Sequence, residues 1–490
     1  MLMEPVYKWR LLSILAIGSF MSSLDGSIVT IALPRIAIEL GVSFDQIQWV
    51  PIIYLLAMAI TLVGFGRLGD LHGRKLLFLW GIAIFTISSL LDSLSTSGTM
   101  LVVFRGIQGI GASLVAAEST AMITAEFPPR ERGRALGINV AAIYLGLVAG
   151  PVLGGVLVQF LDWRSIFYIN LPIGVAISYF AAKDIQKRVP DDVNVKFDQK
   201  GMLFFGAFLA SLLLGLSLGY AIGWGSVVVL GLLVASAACC CVFIFVETRA
   251  PRPMINLSLF RRNRLFAWAN ITALLNYCAL NGVTFLLSIY LQTILGYSPL
   301  VTGLIIAPSP IAMAIISPFS GRLSDRIGTR ALSSAGMLII GSAILFLAFV
   351  LMALPVQFIL VSQAILGTGS GLFSSPNQSA IMGSVDRKDL GIASGTLATM
   401  RVMGQSMSVA VLSTVVGLFI PAAILNPILE QAIGVTVTIS VQHLFMHGFL
   451  ASLMLSAILC YAGSLSAMMR GTETRSSLQW EHSVHVPEEE

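Results

Sequence analysis

The charged side chains that stand inside long apolar stretches of the chain include Asp25, Arg105 and Glu118. In apolar surroundings an ionised side chain costs several kcal/mol unless it is paired or neutralised, so such residues are functional candidates. A carboxylate there can switch between an ion pair and a protonated, neutral form. This chemistry predicts a proton-coupling role for Asp25. Direct binding of a cationic substrate and a static ion pair remain open as alternatives.

Arg105 and Asp25 are expected at similar depth. Asp25 lies about 13 Å along a helix from Pro34, and Arg105 lies roughly 10 Å into its own apolar segment. We predict that Arg105 modulates the charge of Asp25. Glu118 points about 140° away from Arg105 on the same helix. We predict it either as a second titrating or cation-binding site or as a carboxylate at the inner interface.

The amino-acid composition indicates the class of protein that holds these residues. Of the 490 residues, 56% are hydrophobic and 11% are charged, with a mean hydropathy of +0.89. A soluble globule needs a larger polar exterior, which excludes a soluble enzyme, a nucleic-acid-binding protein and a disordered chain. We expect no metal and no organic cofactor, since the five cysteines fit neither a disulfide framework nor a metal site. The sequence has no Walker-type phosphate loop and no nucleophile–base constellation, which argues against ATP hydrolysis and other enzyme chemistry.

Fourteen apolar segments are long enough to cross a bilayer as helices, which takes about 20 residues each. Their predicted bounds are 11–34, 47–66, 76–94, 99–125, 134–159, 164–182, 201–220, 226–246, 265–291, 299–320, 331–353, 356–382, 390–419 and 443–468. Such long runs differ from the short alternating strands of a β-barrel. We therefore predict an all-α polytopic membrane protein.

Basic residues are distributed unevenly between the two sets of loops. All but four of the 29 lysines and arginines fall in loops on the side of both termini. Cytoplasmic loops carry such an excess, so both termini are predicted to be cytoplasmic.

The segment after span 2, GRLGDLHGRK (66–75), is repeated after span 10 as GRLSDRIGTR (321–330). Copies eight spans apart indicate a duplicated unit of six spans with two inserted between the halves, and parallel halves occur in secondary transporters. The predicted organisation is an N-terminal six-helix bundle, two inserted spans with flanking cytoplasmic linkers, a C-terminal six-helix bundle and a cytoplasmic tail. Their bounds are 1–182, 183–264, 265–470 and 471–490.

These motifs resemble the major facilitator superfamily, specifically its fourteen-span drug:proton antiporter branch, over about residues 8–470. The 66–75 segment resembles the superfamily's signature loop. SSLDGSIVTIALP (22–34) resembles the branch's first-span motif, and LVVFRGIQGIGAS (101–113) resembles its Arg-x-x-x-Gly motif. The resemblance implies the major facilitator fold, with two six-helix bundles plus two inserted central helices, in a bacterial or archaeal cytoplasmic (inner) membrane.

The resemblance also implies a latch that forms in one conformation and breaks in another, with a purely structural turn as the alternative. The candidate gating residues are Gly66, Asp70, Gly73, Arg74, Asp325 and Arg326.

GLVAGPVLGG (146–155) resembles the motif that separates exporters from importers in this superfamily. Small residues let two helices approach closely, and proline kinks a helix. The motif residues are Gly146, Gly150, Pro151, Gly154 and Gly155. Packing alone is the alternative explanation.

Arg401 lies about 16 Å into span 13, and no second-half span holds an acid to pair with it. It is expected to face the cavity, to bind an anionic substrate group or to bond to backbone carbonyls. The candidate cavity residues are Gln108, Asn276, Asn281, Gln292, Gln363, Asn377, Arg401 and Gln405. Helix–helix hydrogen bonding is the alternative for the amides.

Together these observations predict a monomeric, proton-coupled secondary active exporter of amphipathic drug-like compounds that works by alternating access. Its partners are expected to be a small amphipathic substrate and membrane lipid, with no nucleic acid. Two alternatives remain: a dedicated transporter of a single metabolite, peptide or lipid, and a non-transporting membrane receptor or scaffold.

Overall fold

The structure is a computed structural model that describes residues 5–186, 198–250, 253, 255–353, 355–385, 390–419 and 439–471. Within these residues fourteen helices are long and apolar enough to cross a membrane. We number them α1 to α14. They are Pro5–Leu40, Trp49–His72, Arg74–Ser93, Gly98–Glu126, Pro129–Phe160, Ser165–Asp184, Gln199–Ile222, Val227–Arg249, Arg264–Ile289, Pro299–Ile327, Thr329–Ala353, Gln357–Gly383, Leu390–Phe419 and Ile439–Met468. The predicted all-α membrane fold is confirmed.

Three of these helices are irregular. α6 is interrupted at Ile169, and α9 continues as a π-helical turn, Tyr290–Ile294. α10 is interrupted at Ala307, directly before Pro308, where a proline removes a backbone donor and restricts the preceding residue.

The repeated ten-residue segments adopt the same local structure in both places. Most of each segment is helical, and the chain turns at a glycine with positive φ, Gly73 at 94° and Gly328 at 89°. Only glycine adopts this conformation without strain, which explains its presence in both copies. The sequence predicted loops from residues 66 and 321, whereas α2 continues to His72 and α10 to Ile327.

The two ends of the bundle carry different loops. We call the end at which α1 begins the basic face, because the α2–α3 turn with Lys75 and the α10–α11 turn with Arg330 lie there. The other end is the opposite face. Helices α1–α6 pack mainly on one another, as do α9–α14, while α2 with α13 and α5 with α10 join the two groups.

The helix that carries Asp25 is held against α5 through glycines. A methyl group at Gly146 would lie 2.6 Å from the Phe20 carbonyl oxygen, and one at Gly150 would overlap the Ser27 hydroxyl. The backbones of α1 and α5 therefore touch on both sides of Asp25, in the close approach that small residues permit.

The other side of α5 lies against the second group of helices. A methyl group at Gly155 would lie 2.8 Å from the Pro299 carbonyl oxygen, and one at Gly303 of α10 would overlap the Pro151 carbonyl. The glycine-rich segment of α5 thus packs against the Asp25 helix and against the other half of the molecule at once.

The inserted helices α7 and α8 contact both halves through α7. The Ser217 hydroxyl accepts hydrogen bonds from Gln48 Nε2 at 3.1 Å and Trp49 Nε1 at 3.0 Å, at the start of α2. Thr414 Oγ1 of α13 donates to the Leu216 carbonyl at 3.1 Å. α7 is therefore bonded to one helix from each half.

Substituting Gly146 with alanine is expected to lower the free energy of unfolding by about 1–3 kcal/mol, because the backbones of α1 and α5 must separate to admit a methyl group. Gly137 lies on the same helix with nothing within 4 Å of the equivalent position. Gly137→Ala is therefore the matched control and is expected to be neutral or stabilising by up to about 1 kcal/mol. Thermal unfolding in detergent micelles measures both. Equal stability of the two variants would contradict close packing at Gly146.

Candidate functional site

Asp25 and Arg105 form an ion pair in the interior of the first six helices. Arg105 Nη1 donates to Asp25 Oδ2 at 2.6 Å, and the side chains are 1% and 0% exposed, respectively. The residue count from the sequence predicted a similar depth for these two residues. A pair this deeply buried is strongly coupled, because neither charge can be compensated by water.

Two amide side chains complete the surroundings of the Asp25 carboxylate. Asn170 Nδ2 of α6 donates to Asp25 Oδ1 at 2.8 Å, and Gln108 Nε2 of α4 donates to the same oxygen at 3.2 Å. Both amides also donate to the Ser89 hydroxyl of α3, at 3.3 and 2.6 Å. Side chains from α4 and α6 therefore donate to one carboxylate of α1 and stabilise its ionised form, while Ser89 of α3 accepts from both amides.

The guanidinium of Arg105 has further contacts. It donates to Gln108 Oε1, and its Cζ lies 4.3 Å from the centre of the Tyr54 ring on α2, within the range of a cation–π interaction. Its Nε has no hydrogen-bond partner among the described residues. The sequence assigned Gln108 to the substrate cavity, and the structure places it in the Asp25–Arg105 network.

A second carboxylate lies beside this network. Asp92, one turn beyond Ser89 on α3, is 0% exposed, and neither of its carboxylate oxygens has a hydrogen-bond partner in the described part of the chain. It lies close enough to Arg105 and Asp25 to interact with both electrostatically. The sequence analysis missed Asp92 because it stands at the polar end of its span, where an acidic residue is expected to lie at the surface.

Glu118 lies elsewhere on α4, against the 66–75 segment, which we call the signature segment. It is buried, and a methyl group at Gly69 of α2 would lie 2.6 Å from its carboxyl carbon. One turn further along α4, the Ala121 carbonyl accepts a hydrogen bond from Arg74 Nη1. The structure therefore places Glu118 at the contact between α4 and the α2–α3 turn, and its titration stays a prediction.

The remaining gating candidates are only partly described. Gly66 lies in α2 with open space around it, Gly73 forms the turn and Arg326 is exposed. The side chains of Asp70 and Asp325 lie outside the described part of the structure. A latch at these residues stays a prediction.

Gln292 joins the two halves near the opposite face. Its Nε2 donates to the Ile31 carbonyl of α1 at 3.0 Å, and the Ser288 hydroxyl donates to the neighbouring Thr30 carbonyl at 2.9 Å. These bonds connect α9 to α1 within two turns of Asp25.

The other amide candidates have different surroundings. Asn377 accepts a hydrogen bond from the buried Arg470, Asn276 contacts the sulfur of Met337, Gln363 is buried, and Asn281 and Gln405 are half-buried. Contact of any of them with substrate stays a prediction.

Arg401 belongs to a polar group between the halves. The Tyr144 hydroxyl of α5 and the Ser374 hydroxyl of α12 lie 2.7 Å apart. Tyr277 of α9 bonds to the same serine and interacts electrostatically with Arg401. The sequence analysis missed both tyrosines and the serine, since aromatic residues in a span usually pack against lipid or neighbouring helices.

Removing Arg105 leaves the buried Asp25 carboxylate without its cation, so Arg105→Gln is expected to lower the free energy of unfolding by about 3–5 kcal/mol. Asp25→Asn is expected to cost less, because Asp92 lies beside Arg105 as a second carboxylate. The double variant removes both charges of the pair and is expected to be more stable than Arg105→Gln alone. Thermal unfolding in micelles measures this coupling. The exposed pair Arg164–Glu39 is the control, with an expected coupling of at most about 1 kcal/mol. Additive losses at the buried pair would contradict direct coupling.

Comparison with known proteins supports the fold and the broad class. A family profile described as Major Facilitator Superfamily matches residues 15–409. The multidrug resistance protein Stp of Mycobacterium tuberculosis (strain CDC 1551 / Oshkosh) is 36% identical over 429 residues, covering 87% of this chain and 79% of the relative. The riboflavin transporter RibZ of Clostridioides difficile (strain 630) is 34% identical over 411 residues, covering 83% and 88%.

A solved structure agrees with the fold. A bacterial homolog to the human lysosomal transporter Spinster, in an inward-facing and unoccupied conformation, aligns with a TM-score of 0.65 at 15% identity, covering 95% of this chain and 97% of that one. At this identity the match shows the fold alone. With the profile match and fourteen membrane-spanning helices, the chain is a multi-pass membrane transporter, not an enzyme, and belongs to the fourteen-span branch of the Major Facilitator Superfamily.

Proposed function

We propose that this protein exports amphipathic, drug-like compounds in exchange for protons, by alternating access. The observation that carries the proposal is the buried Asp25–Arg105 pair, a charged group that a single proton can switch. A multidrug resistance protein among the relatives supports the substrate class. Protons are the coupling ion in this proposal, with no other cofactor, and the protein works as a monomer in the cytoplasmic membrane.

Protonation of Asp25 removes the charge that holds Arg105. The guanidinium keeps its own charge, since arginine does not deprotonate in proteins, and it must find another acceptor or move. α1 and α4 then lose the ion pair that joins them. Protonation of Asp25 thus weakens the contact between these two helices.

α1 transmits this change to the interface between the halves. It packs backbone to backbone on α5, and its Thr30 and Ile31 carbonyls accept the bonds from Ser288 and Gln292 of α9. A displacement of α1 therefore acts on the contacts that hold the two halves together at the opposite face.

The proposed orientation puts the basic face in the cytoplasm, following the distribution of lysine and arginine. Glu118 is then at the cytoplasmic side of α4, against Gly69 of the signature segment. We assign Glu118 to the coupling of this segment with α4, and Asp70 and Asp325 to the cytoplasmic gate.

The proposal is tested with purified protein in liposomes that contain a pH dye. With an imposed pH gradient, ethidium, a lipophilic cation, is expected to provoke proton flux through the wild-type protein. Asp25→Asn is expected to abolish this flux, because the neutral amide cannot take up a proton. Asp162→Asn, at a half-exposed surface carboxylate, is the matched control and should behave as wild type. Ethidium movement against its gradient in Asp25→Asn, with unchanged pH dependence, would rule out the central role of Asp25.

A second candidate is a dedicated transporter of a single anionic or zwitterionic metabolite. Arg401 favours it, because this residue lies beside Tyr277 between the two halves. A riboflavin transporter among the relatives supports this candidate.

The two candidates differ in their response to Arg401→Gln. A dedicated carrier of an anionic substrate is expected to transport an anionic amphiphile but not ethidium in the wild type, and to lose that transport in Arg401→Gln, because the anion needs the guanidinium. A multidrug exporter of cations should keep ethidium transport and show no anion transport even in the wild type. A panel of cationic, zwitterionic and anionic amphiphiles in the same liposomes measures this. Equal losses for all substrates would contradict a specific anion contact at Arg401.

A further inference from the structure

We propose that Asp92 is a second proton-carrying carboxylate of the Arg105 site, protonated while Asp25 is ionised and paired with Arg105 once Asp25 is protonated. The proposal rests on the proton coupling proposed above. It adds a second titrating group and a route between Asp25 and the opposite face.

The packing of α3 on α4 places Asp92 level with Arg105. These antiparallel helices approach each other closely at Gly111, where a methyl group would lie 2.6 Å from the Phe85 amide nitrogen. Seven residues along α3 from Phe85 lead to Asp92, and seven residues back along α4 lead to Phe104, the neighbour of Arg105. A long side chain on a helix points toward the start of its own helix, which directs Arg105 to the turn that holds Asp92.

An ionised carboxylate needs hydrogen-bond donors, and the described residues around Asp92 supply none. The side chain is 0% exposed, and both oxygens lack a hydrogen-bond donor among the described residues. Asp25 has three donors on its two oxygens in the same conformation. An uncompensated carboxylate in an apolar site becomes neutral by binding a proton. The asymmetry between the two acids therefore assigns the negative charge to Asp25 and the proton to Asp92.

Two charged groups among the described residues face Asp92. Arg105 of α4 and Asp25 of α1 act on it electrostatically. From the neighbouring α6 the network receives the neutral amide of Asn170, and Tyr54 of α2 covers the other side of Arg105. One cation thus faces two carboxylates, and the group of three is neutral only when it holds one proton.

Proton movement through this group involves no change of oxidation state. During the return step the O–H bond of Asp92 breaks and an O–H bond forms on Asp25, while Arg105 keeps its charge and changes its partner. When the site opens to the opposite face, ionised Asp92 takes a proton from water there. Asp25 then releases its proton toward the basic face and pairs with Arg105 again. One cycle carries one proton from the opposite face to the basic face.

Infrared spectroscopy tests the protonation of Asp92 without any transport assay. The wild-type protein at neutral pH is expected to show the C=O stretch of a buried protonated carboxyl. This band should disappear in Asp92→Asn, shift in Asp92→Glu and remain in the surface control Asp162→Asn. It should also disappear in Asp25→Asn, because Asp92 then ionises to pair with Arg105. A merely structural, permanently neutral Asp92 would keep its band in Asp25→Asn, and that result would overturn the proposal.

Transport in liposomes supplies the second readout. Asp92→Asn is expected to lose ethidium accumulation driven by a pH gradient and to keep downhill exchange of ethidium, with Asp92→Glu restoring the driven transport. Driven transport by Asp92→Asn with the wild-type pH profile would overturn the proposal.

If the wild type itself shows no proton-driven transport, the proposed function fails, while the infrared bands still decide the protonation of Asp92. If Asp92→Asn does not fold, Asp92→Glu and Asp25→Asn keep the infrared test decisive.

Discussion

The cost of a charge in an apolar interior governs the arrangement of the first six helices. Arg105 keeps its charge in any conformation, so the fold must always offer it an acceptor or an aromatic face. In this structure Asp25, Gln108 and Tyr54 meet that need, and they come from three different helices. The ion pair is therefore a constraint on helix packing as much as a chemical site. Whatever changes the charge of Asp25 changes the forces among α1, α2 and α4.

The glycines of α5 convert this local constraint into contact between the halves. Gly146 and Gly150 hold α1 at backbone distance, and Gly155 does the same for α10. Larger side chains at these positions would deform under a small displacement and absorb it. Because the backbones are in direct contact, no flexible side chain lies between them, and a shift of α1 is passed on to α5 and α10.

The number of membrane-spanning helices and the similar depth of Asp25 and Arg105 could be predicted from the sequence. Fourteen apolar segments are visible because a spanning helix needs about 20 residues of low polarity. Asp25 and Arg105 could be matched because residue counts along a helix give depth, and equal depth is a necessary condition for contact. The turns at Gly73 and Gly328 were visible as a repeated segment, although their helical part was not.

Residue counts give the depth of a side chain along its helix but not the direction in which it points. The contacts of the remaining site residues depend on that direction. Gln108 looked like a cavity residue because the sequence does not show that its face of α4 is turned toward Asp25 and Ser89. Asp92 was hidden for a different reason. It stands one residue from the end of α3, where span prediction places the membrane surface, and its burial results from tertiary packing of α4 and α6.

The inserted pair of helices also has a consequence for access from the bilayer. α7 bonds to Gln48 and Trp49 on one side and to α13 on the other, so it covers the seam where α2 and α13 meet. An amphipathic molecule dissolved among the lipid chains finds this lateral route sealed by protein. Among the described residues the inserted helices pack mainly on α2 and α13, whereas Leu145 and Phe160 of α5 carry exposed apolar side chains. For a compound dissolved in the bilayer, the seam between α2 and α13 is therefore the covered side of the molecule.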